Sequence, residues 1–313
     1  METLLTESVE EAAAVIRLGG LVAFPTETVY GLGANVFNAH AVASIFNAKM
    51  RPADNPLIVH ISDLEQISML AAEIPASAQK FIEAFFPGPL TILFPRSAAV
   101  SDTVTAGLGS VGIRMPRLQL AADFLRLCEV PVAAPSANLS GRPSPTTWEA
   151  VREDLEGRID CILKGDDTEI GLESTVVDCT AQVPVMLRKG AVSLEELQSV
   201  VPETQNYEGI SSEKTGSPGI LHRHYSPRAH VVVVEPGAVV PVSERSSFIG
   251  SSKPPGDFET LRICRSTEDY AKQAFEFFRA CDRLGIKTIY CEAVDEKGIG
   301  AALMDRLRRA AEE

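Results

Sequence analysis

The 313-residue chain has no apolar run approaching the ~20 residues that a membrane-spanning helix needs; its longest runs, such as Val231 to Val234, are strand-sized. Basic residues are in deficit, 29 Lys+Arg against 42 Asp+Glu, for a net charge of −13. Non-specific nucleic-acid binding depends on a broad basic surface, so direct, stable nucleic-acid binding is not expected. A small anionic ligand needs only a local basic pocket and is compatible with the deficit. The six cysteines, Cys128, Cys161, Cys179, Cys264, Cys281 and Cys291, form no C-x-x-C pair. Buried reduced thiols are expected, not zinc ligands or disulfides. A Walker A loop, H-E-x-x-H, an EF-hand loop and G-x-S-x-G are all missing. The match to G-x-G-x-x-G at Gly107 to Gly112 is followed by a strand-like run, not a helix, which excludes a dinucleotide fingerprint; a glycine-rich turn near a phosphate stays open. The first residues carry neither a basic n-region nor an apolar h-region, so a cytoplasmic protein is expected.

What is present is ordinary soluble globular composition, 45% hydrophobic and 23% charged, over a length that suits about two domains. Ser8 to Glu11 fits a capping box, with a helix to Leu18 closed by Gly19-Gly20. Helical periods follow at Ala39 to Lys49, Leu64 to Ala72, Ala76 to Phe86 and Thr146 to Leu155. Strand-like runs lie at Leu21 to Phe24, Leu57 to Ile61, Leu90 to Phe94, Val111 to Met115, Val132 to Ala134, Ile159 to Leu163, Ser174 to Asp178 and Val185 to Arg188. Several strands have no helix between them, which predicts an α+β domain around a mixed sheet over residues 1–202. Residues 203–228 lose the hydrophobic period and read as a linker. Residues 229–313 read as strands, a helix at Thr267 to Leu284, a strand at Lys287 to Cys291 and a helix at Gly300 to Ala311, a small three-layer α/β domain.

Four polar clusters sit at element ends. Pro25-Thr26-Glu27-Thr28-Val29-Tyr30 can hold an amino acid, with hydroxyls for its carboxylate and Glu27 for its ammonium, or can be a capped turn. Lys49-Met50-Arg51-Pro52 through Asn55-Pro56 places two cations in a proline-stiffened loop, which suits a polyphosphate or offsets a helix dipole. Arg114 interrupts an apolar strand, and a buried arginine needs an anionic partner, a structural carboxylate or a ligand's. Ala134-Pro135-Ser136-Ala137-Asn138-Leu139-Ser140-Gly141 through Ser144 lets backbone and hydroxyls approach phosphate or ribose oxygens. Arg188 at a strand end is a further phosphate candidate.

Taken together, Phe24-Pro25-Thr26-Glu27-Thr28-Val29-Tyr30-Gly31-Leu32, Lys49-Met50-Arg51-Pro52, Asn55-Pro56-Leu57-Ile58-Val59-His60, Phe86-Pro87-Gly88-Pro89-Leu90-Thr91, Arg114-Met115-Pro116, the 134–141 loop, Glu173-Ser174-Thr175 and Leu187-Arg188-Lys189-Gly190 resemble the threonylcarbamoyl-AMP synthase family in its long, two-domain form. Ser217-Pro218-Gly219 with His222-Arg223-His224-Tyr225-Ser226-Pro227, and Gly298 to Arg306, are similar to that form as well, with Asp305 where the family pattern has Asn.

The resemblance implies a YrdC-like catalytic domain and a nucleotidyltransferase that turns L-threonine, bicarbonate and ATP into threonylcarbamoyl-AMP and pyrophosphate, for modification of adenosine 37 in tRNA. It implies a threonine pocket of Thr28, His60, Arg114, Ala134 and Ser174, with Arg114 pairing the substrate carboxylate. It implies nucleotide contacts from Lys49, Arg51, Asn55, Ser110, Ser136, Ser144, Arg188 and Tyr225, the last on a linker that folds over the site as a lid. Lys49 and Arg51 would be catalytic, Mg2+ would come with ATP, and a downstream threonylcarbamoyl-transfer complex would take the product. The alternatives are an RNA-binding or nucleotide-binding regulatory protein of the same fold. A carbamoyl-transferring hydrogenase-maturation protein is disfavoured by the absent C-x-x-C modules.

Overall fold

The computed structural model describes residues 2–207, 226–241 and 245–312. The strands form two separate sheets. The larger has eleven strands in the order Leu4–Thr6, Cys161–Leu163, Val22–Phe24, Gly31–Asn35, Val132–Ala134, Ile58–His60, Ser110–Arg114, Leu90–Pro95, Thr175–Asp178, Val185–Arg188 and Gln205–Asn206. Pairings are mixed, for example Ile58–His60 parallel to Ser110–Arg114 and antiparallel to Val132–Ala134. This is the expected α+β architecture, and it arises because short apolar runs bounded by Pro and Gly cannot all be joined by helical crossovers.

Two helices show how local sequence sets the frame. Ser8 caps Val9–Arg17 by accepting from Glu11 N, and the helix buries Ala12, Ala13 and Ile16. The reciprocal half of the expected capping box is replaced: the Glu11 carboxylate accepts from the Thr6 hydroxyl, which in turn accepts from Ser8 N. Asn38 caps Ala39–Lys49 through the N–H groups of His40 and Ala41. That helix ends at Met50, whose φ of 52° turns the chain sharply and starts the loop carrying Arg51.

The smaller sheet is entirely parallel, in the order His230–Val234, Thr288–Glu292, Ser246–Gly250, Thr260–Ile263. Helices Thr267–Leu284 and Ile299–Ala311 pack together on one face, burying Phe275, Phe278, Leu303 and Leu307 against Val231, Ile249 and Ile289. The α/β character is as expected, with one refinement. Both helices share a face, so the opposite face is covered by chain segments around Val240 and Phe258. A second difference concerns the first unit, whose sheet takes its last strand from Gln205–Asn206, inside the stretch read as linker.

Helices Gln119–Cys128 and Leu194–Val200 and strands Leu4–Thr6 and Gly31–Asn35 go beyond the elements expected from the sequence; the first helix buries Ala121, Phe124, Leu125 and Cys128 along one face, and the second starts on a capping box of Ser193 and Glu196. All six cysteines are buried and unpaired. Among the described residues no helix is long and apolar enough to cross a membrane.

Candidate active site

Strand register brings the first site residues together. His60 and Arg114 end parallel neighbouring strands and are Cα partners across them. Ala134 ends the strand on the other side of Ile58–His60. The Pro25–Tyr30 loop joins the antiparallel pair Val22–Phe24 and Gly31–Asn35 and is buried throughout. Inside it, the Thr26 hydroxyl donates to Val29 O (2.7 Å) and lies 2.9 Å from the Thr28 hydroxyl. These bonds fix the loop and leave Thr28 Oγ1 to accept from Arg114 Nη1 at 2.7 Å.

The question of Arg114's anionic partner is answered by Glu27. Arg114 Nη2 donates to Glu27 Oε1 at 2.6 Å, and the two side chains are only 5% and 1% exposed. Glu27 is therefore the structural counter-ion of Arg114 and does not line the cleft, which corrects its reading as an ammonium ligand. His60 packs edge-on against Phe24 with ring centroids 5.7 Å apart. Burial, with the charge of Arg114 adding to it, pushes its pKa down to about 3, so the imidazole is neutral. Its Nδ1 is buried without a hydrogen-bond partner among the described residues.

These groups open onto one shared cleft. Thr28, His60, Arg114, Ala134 and Ser174 all line it. Of the residues expected to meet a nucleotide, Arg51, Ser136, Ser144 and Arg188 line the same cleft. Arg51 is braced by the carbonyls of Asn55 (3.2 Å) and Pro56 (2.9 Å). Arg188 is held by Ser174 O (3.0 Å) and Ser174 Oγ (3.1 Å), and Ser174 is itself 2.8 Å from the Thr91 hydroxyl.

Three expected nucleotide residues do not line the cleft themselves. Lys49 is 1% exposed, and its ammonium is taken up by Ser136 O, Asn138 O and Asn138 Oδ1, so it braces the 136–138 loop from behind. Burial, reinforced by Arg51, holds its pKa well below the usual lysine value. Asn55 is buried beside Arg51 and contributes its carbonyl. Ser110 begins the strand that Arg114 ends, about 13 Å away at strand rise, and the glycine turn at 107–109 lies at that far end with it. Tyr225, with the Ser217 to Tyr225 part of the linker cluster, lies outside the described residues.

Sequence reading missed Arg142 and Glu173 as lining residues. Arg142 donates to Asp154 at 2.6 Å. Glu173 accepts from the Ser144 hydroxyl and from Arg306 Nε at 2.9 Å. Burial alone would raise its carboxyl, but Arg306 and Arg188 outweigh that and hold it below the usual value. The signals were there, Arg142 inside the 134–144 loop and Glu173 in the Glu173-Ser174-Thr175 segment, but neither residue was assigned to the site. Four guanidinium groups, from Arg51, Arg114, Arg142 and Arg188, thus face a cleft whose one lining carboxylate among the described residues is Glu173. In a chain of net charge −13 this is a local cationic hollow beside a small, neutral, hydroxyl-lined pocket.

Comparison with known proteins identifies the family. The family model described as "Telomere recombination" (Sua5, YciO and YrdC) matches residues 14–190, and the model "Threonylcarbamoyl-AMP synthase, C-terminal domain" matches residues 192–312. The chain is 45% identical to the threonylcarbamoyl-AMP synthase of Pyrococcus abyssi, over 96% of this chain and 92% of that one. It is 40% identical to that of Bacillus subtilis, over 97% and 92%. The crystal structure of P. abyssi Sua5 complexed with L-threonine superposes with a TM-score of 0.91 at 42% identity, covering 99% of this chain and 97% of that one. The chain belongs to the threonylcarbamoyl-AMP synthase family.

Proposed function

We propose that this protein is an L-threonylcarbamoyladenylate synthase, joining L-threonine, bicarbonate and ATP into threonylcarbamoyl-AMP with release of pyrophosphate. The observation that carries the reading is the meeting, in one cleft, of the Thr28–His60–Arg114–Ala134–Ser174 pocket with the guanidinium groups of Arg51, Arg142 and Arg188. The relative solved with L-threonine supports the amino-acid half.

The chemistry suits such a site. Bicarbonate takes up a proton and loses water to give CO2, the neutral threonine amine adds to it and releases a proton to form a carbamate, and a carbamate oxygen attacks the α-phosphorus of ATP. The bond from that phosphorus to the β-bridging oxygen breaks, and pyrophosphate leaves with the electron pair. The substrate supplies the nucleophile, so no Ser, Cys or His nucleophile is required. Two anions repel, and bringing them into line is the main task. Arg114 would bind the threonine carboxylate with the donor capacity that Glu27 and Thr28 leave, and neutral His60 would offer Nδ1 to the substrate. Arg51 and Arg188 would neutralise the phosphates as charge develops on the leaving pyrophosphate.

Lys49 acts in this reading by shaping the 136–138 loop. Mg2+ would arrive on the ATP phosphates: Glu173 has both oxygens engaged, and among the described residues no cluster of three His, Cys, Asp or Glu side chains is arranged to hold a metal. The product serves threonylcarbamoylation of adenosine 37 in tRNA, passing in the cytoplasm to a transfer complex without stable nucleic-acid binding by this chain. The test is pyrophosphate release from ATP with threonine and bicarbonate each omitted in turn. Release should need both, and release without either overturns the reading.

A further inference from the structure

The segment 170–175 is gripped from both units. On one side Ile170 N and Gly171 N donate to Glu27 O (2.9 Å) and Thr28 O (3.1 Å), tying it to the threonine loop. On the other, Gly171 takes a φ of +81° and lies so close to the helix Thr267–Leu284 that a Cβ would sit 2.5 Å from Lys272 Cα. Leu172, fully buried, belongs to the hydrophobic core of the C-terminal unit with Phe275 and Leu303. The next residue, Glu173, returns to the cleft and meets Ser144 and Arg306.

Arg306 comes from the helix Ile299–Ala311 and is 1% exposed. Its Nε binds Glu173 Oε2 at 2.9 Å, its Nη2 donates to Lys189 O at 3.0 Å, and its Nη1 meets Asp305 Oδ2. An ionised carboxylate can only accept, so the Ser144 proton is committed to Glu173 Oε1. What Ser144 Oγ then presents to the cleft is its lone pairs. An acceptor at that point suits a ribose hydroxyl or the adenine amino group and repels a phosphate oxygen.

We propose that Arg306 is a positioning residue for the nucleoside half of the site: it fixes Glu173, and Glu173 fixes Ser144 as an acceptor for the nucleoside of ATP. The C-terminal unit is on this account part of the nucleotide site's scaffold. A second contact of the same kind stands beside it. Arg279, from the helix Thr267–Leu284, donates to Asp154 (2.8 Å) and to Pro143 O (2.6 Å), and so holds the residue preceding Ser144. The inference rests on the functional reading above.

The experiment measures binding to the full chain and its Arg306→Met, Arg306→Lys, Ser144→Ala and Arg306→Met/Ser144→Ala variants. The probes are a non-hydrolysable ATP analogue, inorganic tripolyphosphate and L-threonine. Arg306→Met should weaken the analogue about tenfold, the upper end for one hydrogen bond between neutral groups, while tripolyphosphate and threonine change less than about threefold. Ser144→Ala should match it, and the double variant should be no weaker than either single one, because both remove the same contact. Arg306→Lys keeps the charge without the fork and should lie between; it carries the test if the Met variant does not fold. Additive losses in the double variant, equal weakening of all three probes, or unchanged binding would overturn the inference. A wild-type chain that binds no ATP analogue would overturn the functional reading and this inference together. Tight wild-type binding with unaffected variants overturns the inference alone.

Discussion

Arg114 and Glu27 form an ion pair at 2.6 Å in which neither side chain is more than 5% exposed. Breaking a buried pair leaves an uncompensated charge, at a cost of roughly 3–5 kcal/mol. Glu27→Gln should therefore destabilise the chain by about that amount in urea unfolding. Arg114→Ala should also cut kcat/KM for threonine by about a hundredfold or more, since an anion-binding fork is gone. Retained threonine turnover in Arg114→Ala would count against the pocket as drawn.

Arg51→Ala and Arg188→Ala should each lower kcat by about a hundredfold or more, because they remove charge that balances the developing pyrophosphate. Both guanidinium groups are held by backbone carbonyls, so far-UV circular dichroism should stay that of the wild type. Steady-state pyrophosphate release is the measurement.

Lys49→Met should lose stability even without nucleotide. Its removal strands two buried carbonyl oxygens, Ser136 O and Asn138 O, at about 1–3 kcal/mol for each unsatisfied group. Denaturant titration of the free protein checks this. A variant as stable as the wild type but inactive would instead put Lys49 at the phosphates.

His60 gives a pH signature. Its folded pKa of about 3 lies below the ordinary histidine value, so between those values the unfolded chain binds the extra proton. Stability from this residue is present above the unfolded pKa and falls as pH drops below about 6.5, by about 1.4 kcal/mol per unit. His60→Gln removes that slope. The stability difference between wild type and His60→Gln should shrink between pH 7 and pH 5, and a constant difference would refute it.

Leu172→Ala should cost about 2–5 kcal/mol, as for a buried leucine, although Leu172 lies between two residues of the catalytic unit's loop. The loss should appear in the unfolding of the C-terminal core, followed through a tyrosine probe such as Tyr270, which is buried in the same cluster.

Much of the site could be read in one dimension because its residues sit at the ends of elements with strong local signatures. Pro25 after an apolar run, the helix from Ala39 to Lys49 and Arg114 inside a strand each carry a local physical reason. The short apolar runs agree with the described residues holding no helix long and apolar enough to cross a membrane, and motif order pointed to the family. The direction of a side chain and the identity of its partner were not legible, since these depend on contacts between residues far apart in the chain. Lys49 and Arg51 lie two apart, yet one turns inward to brace a loop and the other faces the cleft, because Met50 reverses the backbone between them. Glu27 chose Arg114 across 87 residues, and Glu173 chose Arg306 across 133. Sequence alone determined which charges had to be neutralised on burial; only the packing of the two units decided which opposite charge lay near enough to do it.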